Sequence, residues 1–333
     1  MYTAFYKLNE KPFQLSPDPS FFFESKGHRR AMSYLKYGLT QAEGFIVITG
    51  EVGAGKTTLV RNLFKTLDHE KEKIVSSHLV STQLDADDML RTVAAGFDIE
   101  EEGSSKASLL KKLEKFLRYC RSEGKRVLLV VDEAQNLTPK AVEELRMLSN
   151  FQADDQPLLQ SFLLGQPEFR NTLQGEDMLQ LRQRVIASYH LGPLDENESR
   201  AYIEHRLRLA GWSNDPTFTD EAFQAIFEFT KGIPRQINTL CDRLLLFGFL
   251  EELHDFDQDL VKTVILDISH EFSQGNETKT KSGKNSQHPK GGDALERLER
   301  KLDNIEKTIN RLLTVVIRKV LVQPLERKNR EET

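Results

Sequence analysis

Apolar residues fall along this chain in two rhythms. Short, nearly unbroken apolar runs recur at residues 45–49, 73–80, 126–132, 158–165 and 186–194. Between them, at 28–41, 57–67, 87–97, 106–122 and 139–151, apolar residues return every three or four positions. A strand buried on both faces reads as a continuous apolar run, whereas a helix with one buried face repeats near 3.6. The alternation therefore predicts an α/β domain over residues 26–193, a mostly parallel sheet covered by helices on both faces. After Pro193 the strand rhythm stops. Four helical patterns follow, at 196–210, 220–230, 234–250 and 258–271, and predict an all-helical unit over residues 194–272. Asp195 followed by Glu198 has the spacing of an N-terminal capping arrangement.

The two ends of the chain read differently. MYTAFYKLNEKPFQLSPDPSFFF, with its prolines and aromatics, predicts an extended arm over residues 1–25. It lacks the charged and apolar regions of a signal peptide. No apolar run reaches the roughly 18 residues expected of a transmembrane helix. Residues 273–292 contain no aliphatic or aromatic side chain and predict a flexible linker. Over 293–330, Leu295, Leu298, Leu302, Ile305, Ile309, Leu312 and Val316 alternate spacings of three and four. That seam predicts an amphipathic or coiled-coil helix that docks on a partner, on the chain's own body or on a membrane surface.

Composition sharpens this division. Hydrophobic residues are 38% and charged residues 29% of the 333 positions, a low apolar share that fits a solvated tail beside a normal core. The net charge of −5 is uneven: residues 271–333 hold 14 basic against 10 acidic side chains, leaving −9 for residues 1–270. An acidic body is not expected to coat nucleic acid. Cys120 and Cys241 are too few for a disulfide framework and read as buried thiols. The scattered histidines form no metal-binding spacing.

The chemistry is concentrated at the ends of the apolar runs. Gly50, Glu51, Val52, Gly53, Ala54, Gly55, Lys56 and Thr57 match GxxxxGK[ST], preceded by a strand and followed by a helix, as the motif requires. Glycines let backbone amides turn inward around phosphates, and the helix start adds its positive dipole end. Lys56 would reach the β- and γ-phosphates of ATP, Thr57 would hold Mg²⁺, and Thr58 follows in the same first turn. The run at 126–132 ends in Asp132 and Glu133. Asp132 is the expected second Mg²⁺ holder, and Glu133 the expected base for the attacking water. Gln166 follows the fourth run and could hydrogen-bond the γ-phosphate or that water. Arg182 and Arg184 precede the fifth run, and Arg184 is the preferred candidate for an arginine finger acting on a neighbour's ATP. Arg235, in Gly232-Ile233-Pro234-Arg235, could reach the γ-phosphate from the helical unit.

Together, the P-loop sheet domain, the paired acids, the polar residue after the next strand and GxPR in a helical lid resemble an AAA+ ATPase. GEVGAGKTT, VVDEAQNL, LLGQPEFR, LRQRV and GIPRQINTLCDRLL resemble the ExeA/GspA group of secretion-associated ATPases. STQLDADDML, LRMLSNFQ and RVIASYHLGPL look most like its branch encoded at PEP-CTERM/XrtA exosortase loci. The resemblance spans residues 1–272. It implies ATP and Mg²⁺ as ligands, Gln166 as sensor 1, Arg235 as sensor 2 and a homo-oligomer with ATP between subunits. It also implies a cytoplasmic location, peripheral to the inner membrane if the tail binds there, and a role in envelope export or exopolysaccharide production through a protein partner. ExeA-type proteins continue into a membrane span and a peptidoglycan-binding region. Here a polar linker and a heptad segment stand instead, so peptidoglycan binding is not carried over. A DNA-directed regulatory ATPase of the transposition-helper type and a nucleotide-gated scaffold remain the alternatives.

Overall fold

The computed structural model describes residues 1–277 except 17, 42, 67–72, 81–84, 101, 102 and 104. The heptad helix expected at 293–330 lies outside the described residues, as does most of the linker.

Five parallel strands form the central sheet: β1 (Phe45–Gly50), β2 (Ile74–Val80), β3 (Arg126–Asp132), β4 (Leu159–Gly165) and β5 (Val185–Leu191), in the order β2-β3-β4-β1-β5. Their side chains divide by the two-residue period of a strand. Phe45, Val47, Leu129, Val131 and Leu163 face one apolar cluster. It is closed by α4 (Ala86–Gly96), α5 (Lys106–Ser122) and α6 (Pro139–Leu148). Ile46, Ile48, Leu128, Val130, Phe162 and Leu164 face the other, closed by α2 (Lys26–Gln41) and α3 (Lys56–Thr66). The three central strands are buried on both faces and show no polar alternation, whereas the edge strands β2 and β5 carry exposed Ser76, His78, Ser188 and His190. The C-terminal ends of β1, β3 and β4 meet on one edge, where open α/β sheets bind ligands.

Several boundaries differ from the sequence reading. The expected helix at 139–151 stops at Leu148, because Phe151 turns into a short hairpin pairing Gln152–Ala153 with Gln156–Pro157. Two short helices, α7 (Glu168–Gln174) and α8 (Leu179–Arg182), fill the segment before β5. At seven and four residues they fall below the length at which an apolar period is readable. The helical unit contains α9 (Glu196–Leu209), α10 (Asp220–Thr230), α11 (Pro234–Leu250) and α12 (Gln258–Glu277), with a small parallel pair, Thr217–Phe218 and Asp255–Phe256. Asp195 and Glu198 make the capping box of α9. Helix α12 runs through Glu277, so residues 273–277 continue the helix rather than start the linker.

The larger correction concerns the arm. Residues 2–5 form a helical turn, α1 (Tyr2–Phe5), and Pro19–Phe21 a single 3-10 turn. Tyr2, Tyr6, Leu8, Phe13 and Phe21 are buried in the same apolar cluster as Leu240, Leu244 and Val261 of the lid. Tyr2 donates to Asp242 (2.5 Å) and Tyr6 to the Leu253 carbonyl (2.9 Å), and the Asn9 amide reaches the Ala210 carbonyl (2.8 Å). Arg206, itself buried, donates from Nε to the Pro12 carbonyl (2.5 Å) and stacks over the Phe21 ring. Aromatic burial at this density is worth roughly 2–3 kcal/mol per ring. The arm is thus part of the lid's core. Cys120 and Cys241 are free and buried, and burial pushes both thiols up. Among the described residues, no helix is long and apolar enough to cross a membrane.

Candidate functional site

An open cleft of about 300 Å³ lies between the sheet edge and the lid. One wall is the loop after β1, with Val52, Gly53, Gly55, Lys56, Thr57 and Thr58. Glu133 stands beside it. The opposite wall is built by the arm (Gln14–Ser16, Phe21–Phe23) and by Tyr202, Arg206, Pro234, Arg235 and Asn238 of the lid.

Helix α3 begins at Lys56, so its unpaired amides open onto the cleft. Lys56 is buried and donates from Nζ to the carbonyls of Gly50 (2.7 Å) and Glu51 (3.1 Å). Burial lowers its pKa, and Glu133, Asp132, Glu51 and Glu168 only partly offset this. A desolvated ammonium held among carbonyls is a group positioned for an anion. Thr57 Oγ1 donates to Asp132 Oδ2 at 2.5 Å. Burial alone would raise the Asp132 pKa. The nearby His78 and bonds from Thr57 and the Glu133 amide reverse that and hold it below the usual carboxylate value. This buried, ionised carboxylate joined to a hydroxyl is an all-oxygen donor pair that suits Mg²⁺.

Glu133 has φ 53°, a left-handed conformation that non-glycine residues rarely adopt. Its Oε2 accepts from Gln135 Nε2 (2.6 Å) and Gln166 Nε2 (3.2 Å). The Gln166 amide in turn donates to Gln135 Oε1 (2.9 Å). The sequence reading brought Glu133 and Gln166 to this site but did not single out Gln135. The signal available was its position two residues after Glu133, before Gly165 and Gln166 could be seen to approach. His78 was missed too. It lies on β2, one strand away, with Nε2 3.8 Å from Asp132 Oδ2, and no spacing in the sequence announces that contact.

Arg235 lies against the loop from the lid side. Its amide faces the Gly53 carbonyl at 3.3 Å, and a Cβ on Gly53 would sit 2.2 Å from the Arg235 Cβ. The two arginines before β5 stand elsewhere. Arg184 donates to the Ser149 carbonyl (3.1 Å) and hydroxyl (2.8 Å), capping the end of α6. Arg182 is exposed and makes longer bonds to the Leu173 and Gln174 carbonyls (3.5 and 3.2 Å). Both guanidiniums are thus bonded within their own chain, Arg184 half-buried and Arg182 exposed.

Comparison with known proteins agrees with this geometry. Residues 39–173 match the family model for an AAA domain. The chain is 39% identical over 255 residues to general secretion pathway protein A of Aeromonas hydrophila, covering 76% of this chain and 46% of that protein. The chain thus spans about half the length of the curated relative it matches. Among solved structures, the Drosophila ORC bound to DNA aligns with a TM-score of 0.60 at 14% identity, over 80% of this chain and 65% of that one. The Aeropyrum pernix ORC1 protein in complex with DNA aligns with a TM-score of 0.59 at 16% identity, over 79% and 70%. At such identity these two speak for the fold alone. The chain carries an AAA-type P-loop ATPase domain, similar in sequence to general secretion pathway protein A and in architecture to the ORC proteins.

Proposed function

We propose that this chain binds and hydrolyses ATP with Mg²⁺ and uses the cycle to drive or regulate an envelope export assembly. The observation that carries the reading is one cleft lined by Lys56, Thr57, Glu133 and Arg235, with Asp132 bonded to Thr57 and Gln166 to Glu133. The loop amides and Lys56 bind the triphosphate. Thr57 and Asp132 would hold the metal, which supplies charge neutralisation on the phosphate oxygens. Glu133 accepts a proton from water as its oxygen attacks the γ-phosphorus, while the bond to the β–γ bridging oxygen breaks. Gln135 and Gln166 hold that carboxylate in place, and Arg235 answers the charge at the γ-phosphate.

The sequence kinship with a secretion-pathway protein supports the export role, and the segments at 81–90, 145–152 and 184–194 support the exosortase-linked branch and a link to exopolysaccharide. A homo-oligomer with Arg184 or Arg182 facing a neighbour's nucleotide, and recruitment of a protein partner or membrane surface by the heptad segment, belong to the same reading. The acidic body argues against a DNA-directed ATPase. The test is phosphate release from ATP by the whole chain, with Mg²⁺ and with chelator, against Lys56→Ala. Metal-dependent release lost in the variant is expected. Equal release by parent and variant would overturn the site.

A further inference from the structure

The nucleotide loop leans on a histidine that no motif contains. His28 lies in the first turn of α2, 5% exposed, and its imidazole reaches under the loop between β1 and α3. A Cβ built on Gly55 would stand 2.7 Å from His28 Nε2, so the ring fills the space a side chain would need there. The Ala54 backbone lies beside the ring and acts in the sense that favours the protonated imidazole. That is the sense of a carbonyl accepting from Nε2–H. The other nitrogen, Nδ1, lies 2.7 Å from Ser25 Oγ. Ser25 Oγ already accepts the His28 amide at 3.1 Å, in the manner of a helix N-cap. Its hydroxyl proton is then free for Nδ1. The two contacts agree on one tautomer, neutral, with the proton on Nε2 aimed at the loop. Phe22 packs edge-on against the ring at 5.5 Å.

The turn that carries His28 is also held from the lid. The Lys26 amide donates to Glu198 Oε1 (2.8 Å) and Lys26 Nζ to Asp195 Oδ2 (3.2 Å), the two residues that cap α9. The imidazole therefore stands between the start of the lid and the middle of the phosphate loop.

We propose that His28 is a positioning residue of the nucleotide site: pinned by Ser25, it holds Ala54 and Gly55 in the shape that turns the loop amides toward phosphate. This rests on the reading of the loop as an ATP site. The role is to set ground-state phosphate binding. His28 donates to the back of the loop and is no base for the attacking water, so its loss should act on affinity before turnover. Buried partners that orient a binding group typically contribute about 10- to 100-fold, and a buried carbonyl left without its donor is costly.

The experiment compares the whole chain with His28→Gln and His28→Asn. A glutamine amide reaches about as far as Nε2 and can still donate to Ala54. An asparagine amide falls short. Binding of a fluorescent ATP analogue gives the affinity, and phosphate release gives KM and kcat. The expected result is about 10-fold or more weaker binding and raised KM in His28→Asn, with kcat within about threefold of the parent and most affinity kept in His28→Gln. Ser25→Ala frees the ring without removing it and is expected to weaken binding by a few-fold. It decides the matter should His28→Asn fail to fold. Parental affinity in His28→Asn or in Ser25→Ala would overturn the proposal, as would equal losses in the Asn and Gln variants. A parent that binds no ATP would instead sink the ATP reading itself.

Discussion

Replacing Glu133 by glutamine separates binding from chemistry at this site. The change is isosteric and removes one negative charge. Glu133 accepts two amide donors at a single oxygen, from Gln135 at 2.6 Å and Gln166 at 3.2 Å. An amide oxygen at the same place can still accept both, with each bond falling from the charge-assisted to the neutral range, about 1 kcal/mol less. Glu133 is half-buried and the replacement is isosteric, so the fold is expected to tolerate that loss. Lys56, the loop amides, Thr57 and Asp132 are untouched, so ATP affinity should stay within about threefold, because uniform binding is left in place. Turnover is another matter. A positioned general base contributes about 10²- to 10⁴-fold, which is about 3–5 kcal/mol of barrier. The assay is phosphate release at saturating Mg²⁺ and ATP, beside equilibrium binding of a fluorescent nucleotide. The expected pattern is a variant that binds and does not turn over. Parental turnover would mean that another group activates the water. Lost binding with kcat intact would mean that Glu133 holds nucleotide or metal rather than the reacting water.

The remaining predictions concern stability. Tyr6 is fully buried in the lid cluster, so Tyr6→Ala should cost about 3–5 kcal/mol, as aromatic-to-alanine changes in cores do. A melt that leaves the lid transition unmoved would return the arm to a dispensable appendage. Burial holds His28 down to about 4 from an ordinary 6.5, despite the Ala54 bond and the charge of Glu198. The folded protein therefore binds this proton later than the unfolded chain does. The stability tied to the neutral ring is full above pH 6.5 and drains away as pH falls toward 4, by about 3 kcal/mol in all. His28→Gln lacks that drain, so the parent's urea midpoint should fall more than the variant's between pH 7 and 4.5. Parallel falls would refute it.

Much of this was legible in the sequence because the signals are local. The central strands are buried on both faces and apolar nearly throughout, and with the more mixed edge runs they marked the sheet within a residue or two, except at the end of the fifth, where Gly192 and Pro193 cut β5 off at Leu191. The phosphate loop carries its chemistry in eight consecutive residues. What the sequence hid depends on distant partners. Tyr2 meets Asp242 across 240 positions, and Gln166 meets Gln135 across 31. His28 looks like any helix residue until Ala54 and Gly55 arrive above it. Arg182 and Arg184 look interchangeable, and only the end of α6 at Ser149 tells them apart.

The arm changes how the cleft is to be understood. The sheet supplies the wall that faces phosphate: Lys56, Thr57 and the loop. The far wall is made by Gln14–Ser16, Phe21–Phe23, Tyr202, Arg206 and Asn238. Those residues belong to one unit, since Arg206 holds Pro12, Asn238 Nδ2 faces the Gln14 carbonyl at 3.4 Å, and Tyr202 donates to Asn238 at 2.8 Å. A ligand that fills the cleft touches both units at once, and its size and charge at the phosphate end decide how closely Arg235 and the Gly53 carbonyl approach. Loss of a γ-phosphate would remove contacts from the sheet side and from Arg235 of the lid, while leaving the rest of the arm and lid wall in place. The energy difference between the two nucleotide states would then be felt at the seam between sheet and lid, where a change at the phosphates can alter the lid as a body. Helix α12 is the last element of that lid, and the heptad segment follows it in the chain. Lid movement, rather than sheet movement, is therefore what a partner bound to that segment would sense.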